Sequence, residues 1–373
     1  MYFNQKIFLK ILKETYISQE YNLLHAAYTS LLITLFFVAR SIIKVSQSAD
    51  KILFSQYQKQ TITAPIFITG NPRSGTTFLH YLLANDPQLT TTKLYQTIFP
   101  SISFYRLFQG TERLKPLFAD LINWLNNKSF KGWQGIHKTQ LDEVEEDETI
   151  FVWAMLTPVL FLMFPFAQLF QENELTCVDN LSEETRQQLM SYYQDYLQRH
   201  LYATGSDKTL LIKNTTSTGR LRSMIQTLPD MRIIHLIRHP YQAIPSLLSM
   251  YAAPWHTLVP QTQNNNQAYY NLAQLYANYY RIRMEIFQEF NKDLLIEIAY
   301  EDFRRDPLNI IKQIYAKFNL TMKQPFQDKL EEQLKQNVTY QSSHKYSLEK
   351  FGLNEKMIYE MMEDVFEFYG FKA

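Results

Sequence analysis

Cysteine is almost absent. A single residue, Cys177, stands in 373, so no intramolecular disulfide can brace the fold, and the usage fits a reducing, cytoplasmic compartment. Cysteines and histidines nowhere gather at metal-ligand spacing, so no metal is expected. Excess charge of one sign is also missing. With 37 Lys+Arg against 36 Asp+Glu, the formal net charge is +1, which gives no basic field for nucleic acid. No Gly/Ser- or Pro-rich linker divides the chain, and there is no internal repeat or low-complexity block. A single α/β domain can reach this length. What the chain has in quantity is aromatic side chains, at 15% of residues.

Its most informative stretch runs Pro65-Ile66-Phe67-Ile68-Thr69-Gly70-Asn71-Pro72-Arg73-Ser74-Gly75-Thr76-Thr77. It reads as a buried strand, a tight loop and a helix start. Unpaired N–H groups at a helix start form an anion site, and Gly70 and Gly75 let the backbone curl around a phosphate. Their spacing copies the nucleotide-binding G-x-x-x-x-G-K-[ST] loop. Thr76, however, replaces the lysine that holds the β/γ-phosphates of a triphosphate. The cradle therefore suits a 5′-phosphate with something other than a γ-phosphate beyond it.

A second motif is Arg232-Ile233-Ile234-His235-Leu236-Ile237-Arg238-His239-Pro240, followed by Ser246. The run has strand length and β-branched content, which puts Arg238 at a strand's carboxyl end, where open α/β sheets bind ligands. Taken together, the two motifs resemble the sulfotransferases that use 3′-phosphoadenosine 5′-phosphosulfate (PAPS). The resemblance implies that Arg73, Ser74, Gly75, Thr76 and Thr77 hold the 5′-phosphosulfate, and that Arg238 and Ser246 hold the 3′-phosphate. An arginine fork and a hydroxyl suit that task chemically.

The resemblance covers roughly residues 62 to 370. Leu210-Leu211-Ile212-Lys213 is similar to the family's strand whose lysine stabilises charge on the leaving side of the sulfuryl group. Tyr300-Glu301-Asp302-Phe303 is similar to its late turn. His344-Lys345-Tyr346-Ser347, with Phe351-Gly352-Leu353, resembles the C-terminal loop that closes over the nucleotide, which makes Lys345 a cofactor-binding candidate. One departure concerns the base. Tyrosylprotein sulfotransferases take it from a G-E-E stretch, but the corresponding place here, Thr91-Thr92-Lys93, holds no carboxylate. The acidic run Asp142-Glu143-Val144-Glu145-Glu146-Asp147-Glu148 lies instead before an apolar segment. A carboxylate beside an apolar wall gains a raised pKa and can take an acceptor's proton. Glu146 is the first candidate, then Asp147, with His137 as the alternative. The bland reading of the same run is a solvated face that complements a helix dipole.

Two apolar segments bear on membranes. Leu23 to Val45 can be a helix packed on the domain, an interfacial anchor or a span. Ile150 to Phe170 carries no charge, yet a single crossing there would put the two phosphate-binding motifs on opposite sides of the membrane, and Pro158 and Pro165 oppose one straight helix. It reads as buried core, or as a greasy wall over the acceptor.

The expected fold is thus α/β, a P-loop-NTPase-like three-layer sandwich with a central parallel sheet. Strands are expected near 65–70, 209–214, 232–238 and 294–300. Residues 1–60 form an N-terminal helical segment packed on the domain or a membrane surface, and 61–373 the catalytic domain. A mainly helical insertion, about 100–205, carries the acceptor pocket, and Tyr269 to Phe290 forms one long core helix. The expected reaction is metal-independent, in-line transfer of a sulfuryl group from PAPS to a hydroxyl or amine of a small-molecule or lipid-like acceptor. Two rivals remain: a nucleotide-dependent phosphotransferase with a degenerate P-loop, and a non-catalytic PAPS-fold binding protein.

Overall fold

The computed structural model describes residues 2–18, 23–110, 116, 120, 141–258, 266–337 and 347–373. The chain divides into two compact units. One comprises Met1–Thr61, Thr92–Ser206 and Leu248–Leu272; the other comprises Ile62–Thr91, Asp207–Leu247 and Ala273–Ala373.

The second unit is built on a five-stranded parallel sheet. Its strands are β1 (Ile66–Gly70), β2 (Leu89–Thr90), β3 (Thr209–Lys213), β4 (Arg232–Ile237) and β5 (Leu295–Ala299), in the order β2-β3-β1-β4-β5. Every residue of β1 is buried. Strands covered on both faces read as continuous apolar runs, which is why Ile-Phe-Ile and Leu-Leu-Ile announce themselves without alternation. Ile66 pairs with Leu211 on one side and Arg232 on the other, so β1 lies between β3 and β4. The chain leaves β1 toward β2 and β3, then crosses to β4 and β5. Strand order therefore reverses around β1, and its carboxyl end is the switch point at which such sheets bind ligands.

One face of the sheet packs Ile66, Ile68, Leu211, Ile234, Leu236 and Ile298 against Leu79, Leu82, Leu83, Phe303, Ile310, Ile311 and Ile314 of the flanking helices. On the other, buried His235 meets Phe287 and hydrogen-bonds Glu297 at 3.1 Å. Phe287 belongs to the helix Asn266–Glu289, close to the long helix expected from the tyrosine-rich stretch. The helices after the phosphate loop and after β4 begin at Thr76 and Pro240. Proline at a helix's first residue loses no hydrogen bond there and presets φ.

The first unit is helical. Its longest helices are Leu23–Leu53 and Glu183–Thr204. Buried Arg199 pairs with Asp50 at 3.2 Å, and Asp50 also accepts from the backbone N–H groups of Ile102 and Ser103, each at 2.8 Å. The apolar segment 150–170 is no continuous helix. A short helix, Thr149–Val152, gives way to 3-10 turns at Pro158–Leu162 and Ala167–Leu169. Phe151, Phe161 and Phe166 are buried among them.

Candidate functional site

The site is assembled at the carboxyl ends of β1, β3 and β4. Gly70 ends β1 with φ +155°, and a Cβ placed there would meet the Leu236 carbonyl oxygen of β4 at 2.5 Å. Only glycine allows the loop to leave the sheet so close to its neighbour. Gly75, with φ +85°, caps the following helix, and a Cβ there would press on the Tyr300 ring at 3.0 Å. Between them Arg73 holds φ +71°. A bulky side chain in the left-handed region carries strain of about 1–3 kcal/mol, and such strain gathers at functional sites.

Neighbours hold Arg73 in that conformation. Its Nε donates to Ser246 Oγ at 3.1 Å. Arg238 donates through one terminal nitrogen to the Arg73 carbonyl and through Nε to Gln242 Oε1 at 3.1 Å. The Arg238 guanidinium stacks 4.2 Å from the Tyr300 ring centroid, and its own carbonyl accepts from Tyr280 Oη at 2.6 Å. Burial pushes the Arg238 pKa down, yet arginine stays cationic in a protein. The structure therefore brings Arg73, Arg238 and Ser246 together.

On the other flank Lys213, buried at the end of β3, donates from Nζ to Thr77 Oγ1 at 3.0 Å. His80, one helical turn after Thr76, feels its charge. Burial and the Lys213 cation both hold the His80 pKa well below its usual value. Neutral His80, 2.5 Å from Thr91 Oγ1, thus leaves Lys213 as the cation of this corner. Ser74 Oγ is buried inside the loop with no hydrogen-bond partner. Buried polar atoms are rarely left so. It points to a ligand that offers a hydrogen-bonding oxygen.

Beneath the loop lies Arg283, from the helix Asn266–Glu289, fully buried. It donates to Asn71 Oδ1 and, at 2.5 Å, to Thr218 Oγ1, while its Nε has no partner. No carboxylate of the described residues pairs with it. Burial lowers its pKa. A buried cation without a counter-ion is costly, and the anion loop directly above supplies a reason for it. Sequence reading missed both Arg283 and His80. Each sits within an apolar helical pattern, and each gains its meaning from a contact distant in sequence.

Among the remaining candidates, Glu146 and Asp147 belong to the helical unit. Glu146 is partly buried and its backbone N–H donates to Glu145 Oε1 at 2.9 Å. Asp147 is fully buried and accepts from Tyr193 Oη. His137 and Lys345 lie outside the described residues. Among the described residues no group of His, Cys, Asp and Glu is placed to hold a metal ion.

The sequence profile of the sulfotransferase family matches residues 65–324, and the chain belongs to that family. It is a sulfotransferase. Among its relatives is the ω-hydroxy-β-dihydromenaquinone-9 sulfotransferase Stf3 of Mycobacterium bovis, 25% identical over 304 residues, which covers 79% of this chain and 73% of Stf3. The same protein from Mycobacterium tuberculosis matches equally. The fold matches crystal structures of two sulfotransferases. STF9 of Mycobacterium avium has a TM-score of 0.80 at 16% identity, covering 99% of this chain and 91% of STF9. STF1 of Mycobacterium tuberculosis has a TM-score of 0.72 at 18% identity, covering 95% and 91%.

Proposed function

We propose that this enzyme moves a sulfuryl group from PAPS to the hydroxyl of an apolar, lipid-like acceptor. The observation that carries the donor assignment is the meeting of Arg73, Arg238 and Ser246 on one side of the loop with Lys213 and Thr77 on the other. Two cationic corners flank one glycine-cornered cradle, and a nucleotide bisphosphate presents two anionic groups. The acceptor class rests on two supports: the relative named for a menaquinone derivative, and the buried aromatic segment around Phe151, Phe161 and Phe166.

In this reading Ser74, Thr76, Thr77 and the loop N–H groups hold the 5′-phosphosulfate. Arg238 and Ser246 hold the 3′-phosphate, and the family resemblance adds Lys345 as a further cofactor-binding residue. The donor supplies an activated sulfuryl group. Arg73 and Lys213 stabilise charge on the oxygen that departs with the nucleotide, because fixed cations act where charge develops. The acceptor oxygen bonds to sulfur as the sulfur–oxygen bond to the nucleotide breaks, and the hydroxyl proton passes to Glu146, or to Asp147 or His137. Arg283 holds Asn71, and through it the loop, in register.

The test is incubation with labelled PAPS and a panel of apolar alcohols. Label transfer to an alcohol, absent with Mg-ATP as donor, is expected. Phosphoryl transfer from ATP without sulfuryl transfer would return the chain to the P-loop phosphotransferases.

A further inference from the structure

The helices Gln5–Tyr16 and Leu23–Leu53 of the helical unit carry more exposed apolar surface than any other described segment. Leu23–Leu53 buries His25, Ala26, Thr29, Ile43, Gln47 and Asp50 on one side. Leu24, Leu31, Val38, Val45 and Ile52 recur every seventh residue on the opposite side, and all are exposed, at 66%, 39%, 54%, 71% and 81%. Ile42 joins them, while Leu9 and Ile17 of the preceding segment are exposed too. Over its most apolar 18 residues this helix has a mean hydropathy of 1.7 with 17% of that window buried.

Charge identifies the occupant. Between residues 2 and 59 the described acidic residues are Glu14 and Asp50, and both are buried. Lys13, Lys44, Lys51 and Lys59 are exposed. Lys6 and Lys10 bond Glu172 and Glu174, and so also leave no bare negative charge on this side. Among the described residues the face is therefore apolar, and its exposed charge is of positive sign alone. A second copy laid along the same stripe would bring lysine toward lysine, with no exposed carboxylate among the described residues of this segment to answer it. An anionic lipid surface meets both features at once: acyl chains take the stripe and headgroups take the lysines.

We propose that this face docks on an anionic bilayer, with the helix lying in the interface rather than crossing it. The buried Asp50–Arg199 pair and the contacts of Asp50 with Ile102 and Ser103 fix the far end of the helix to the folded unit. The Arg40 guanidinium, midway along, donates to the Trp153 and Tyr2 carbonyls. At the near end His25 Nε2 bonds the Met163 carbonyl at 3.1 Å. A crossing helix would put its ends on opposite sides of the bilayer and could not keep His25 on Met163 and Asp50 on Arg199 at once. The inference stands on the helical unit and does not depend on the donor, though it would place a sulfotransferase where lipid-like hydroxyls are found.

The experiment is co-sedimentation of the full chain with vesicles of phosphatidylcholine alone or mixed with phosphatidylglycerol. Binding is expected to the mixed vesicles and to fall with salt. Val38→Asp with Val45→Asp should weaken it tenfold or more. Lys44→Gln with Lys51→Gln should weaken it about thirty-fold, from about 1 kcal/mol per lysine at an anionic surface. Titration with 3′-phosphoadenosine 5′-phosphate reports whether each variant is folded. Failure of that titration in the wild type, with vesicle binding intact, would count against the donor reading and not this one. Two results would overturn the docking proposal: equal sedimentation of the wild type and the aspartate variant, or no vesicle binding together with a dimer in light scattering that the aspartate variant loses.

Discussion

Replacing Arg238 with alanine is the sharpest probe of the nucleotide site. The side chain does two separable things. Its guanidinium faces the proposed 3′-phosphate, and a charge-assisted hydrogen bond to such a group is worth about 1.5–3 kcal/mol. It also holds the carbonyl of Arg73, whose left-handed backbone needs support from its surroundings. Releasing that brace costs about 1 kcal/mol more, at the low end of what such strain stores. The two sum to about 2.5–4 kcal/mol, which is a loss of roughly 10²–10³-fold in affinity at about 1.4 kcal/mol per decade. Ser246→Ala removes one neutral hydroxyl from the same cluster. It should cost about 0.5–1.5 kcal/mol, roughly threefold to tenfold. The assay is calorimetric titration of each variant with 3′-phosphoadenosine 5′-phosphate, with acceptor affinity followed separately. Arg238→Ala should weaken the nucleotide far more than Ser246→Ala does, and leave the acceptor nearly unchanged. Equal loss of nucleotide and acceptor, or an Arg238 variant within threefold of the wild type, would refute the assignment.

Gly70→Ala should lower stability by about 3 kcal/mol or more, because the added Cβ meets backbone at the Leu236 carbonyl and the φ of +155° is strained for alanine; a denaturant midpoint unchanged from wild type would contradict this. Arg283→Met should leave circular dichroism native and weaken the bisphosphate roughly tenfold, since it removes a buried cation and frees Asn71; Arg283→Lys should recover part of that loss, and equal affinities throughout would remove Arg283 from the site. Burial pushes His235 down to about 4 from 6.5. Its folded form therefore stays neutral while the unfolded chain takes up a proton, so stability is full above pH 6.5 and falls as the pH drops toward 4. Buried His80 and His200 are shifted the same way. Thermal melts across that window should show the fall, and His235→Gln should make it shallower by one histidine's share; parallel slopes in the two proteins would argue against a contribution from His235.

The parts of the molecule that could be read in advance are those in which one local pattern does one job. Ile66-Phe67-Ile68 and Arg232 to Ile237 needed only an apolar run closed by a glycine or proline, and both became central strands. Asn71 to Thr77 needed only small residues at P-loop spacing. β2, two residues long at Leu89–Thr90, carries no period from which to be read. Arg283 was hidden for a different reason. The Tyr/Leu/Ile spacing of its helix correctly signalled core, and nothing local marks an arginine inside that core as reaching Asn71, 212 residues away. The division into units was likewise a long-range property. The helical unit draws Leu248–Leu272, from the second half of the β4-following helix onward, together with Met1–Thr61 and Thr92–Ser206, and no linker composition marks those joins. The exposed stripe of Leu23–Leu53 shows the same limit: hydropathy revealed an apolar helix, but the long-range contacts of its other face, such as the buried Asp50–Arg199 pair, decide which side is left to solvent.

The central claim is that the loop from Gly70 to Thr77 serves a nucleotide with phosphates at both 3′ and 5′ positions. Its most direct measurement is calorimetric titration of the wild-type protein with 3′-phosphoadenosine 5′-phosphate, with Mg-ATP in parallel. Tight binding of the bisphosphate and none of Mg-ATP is predicted. Binding of Mg-ATP alone would contradict the account.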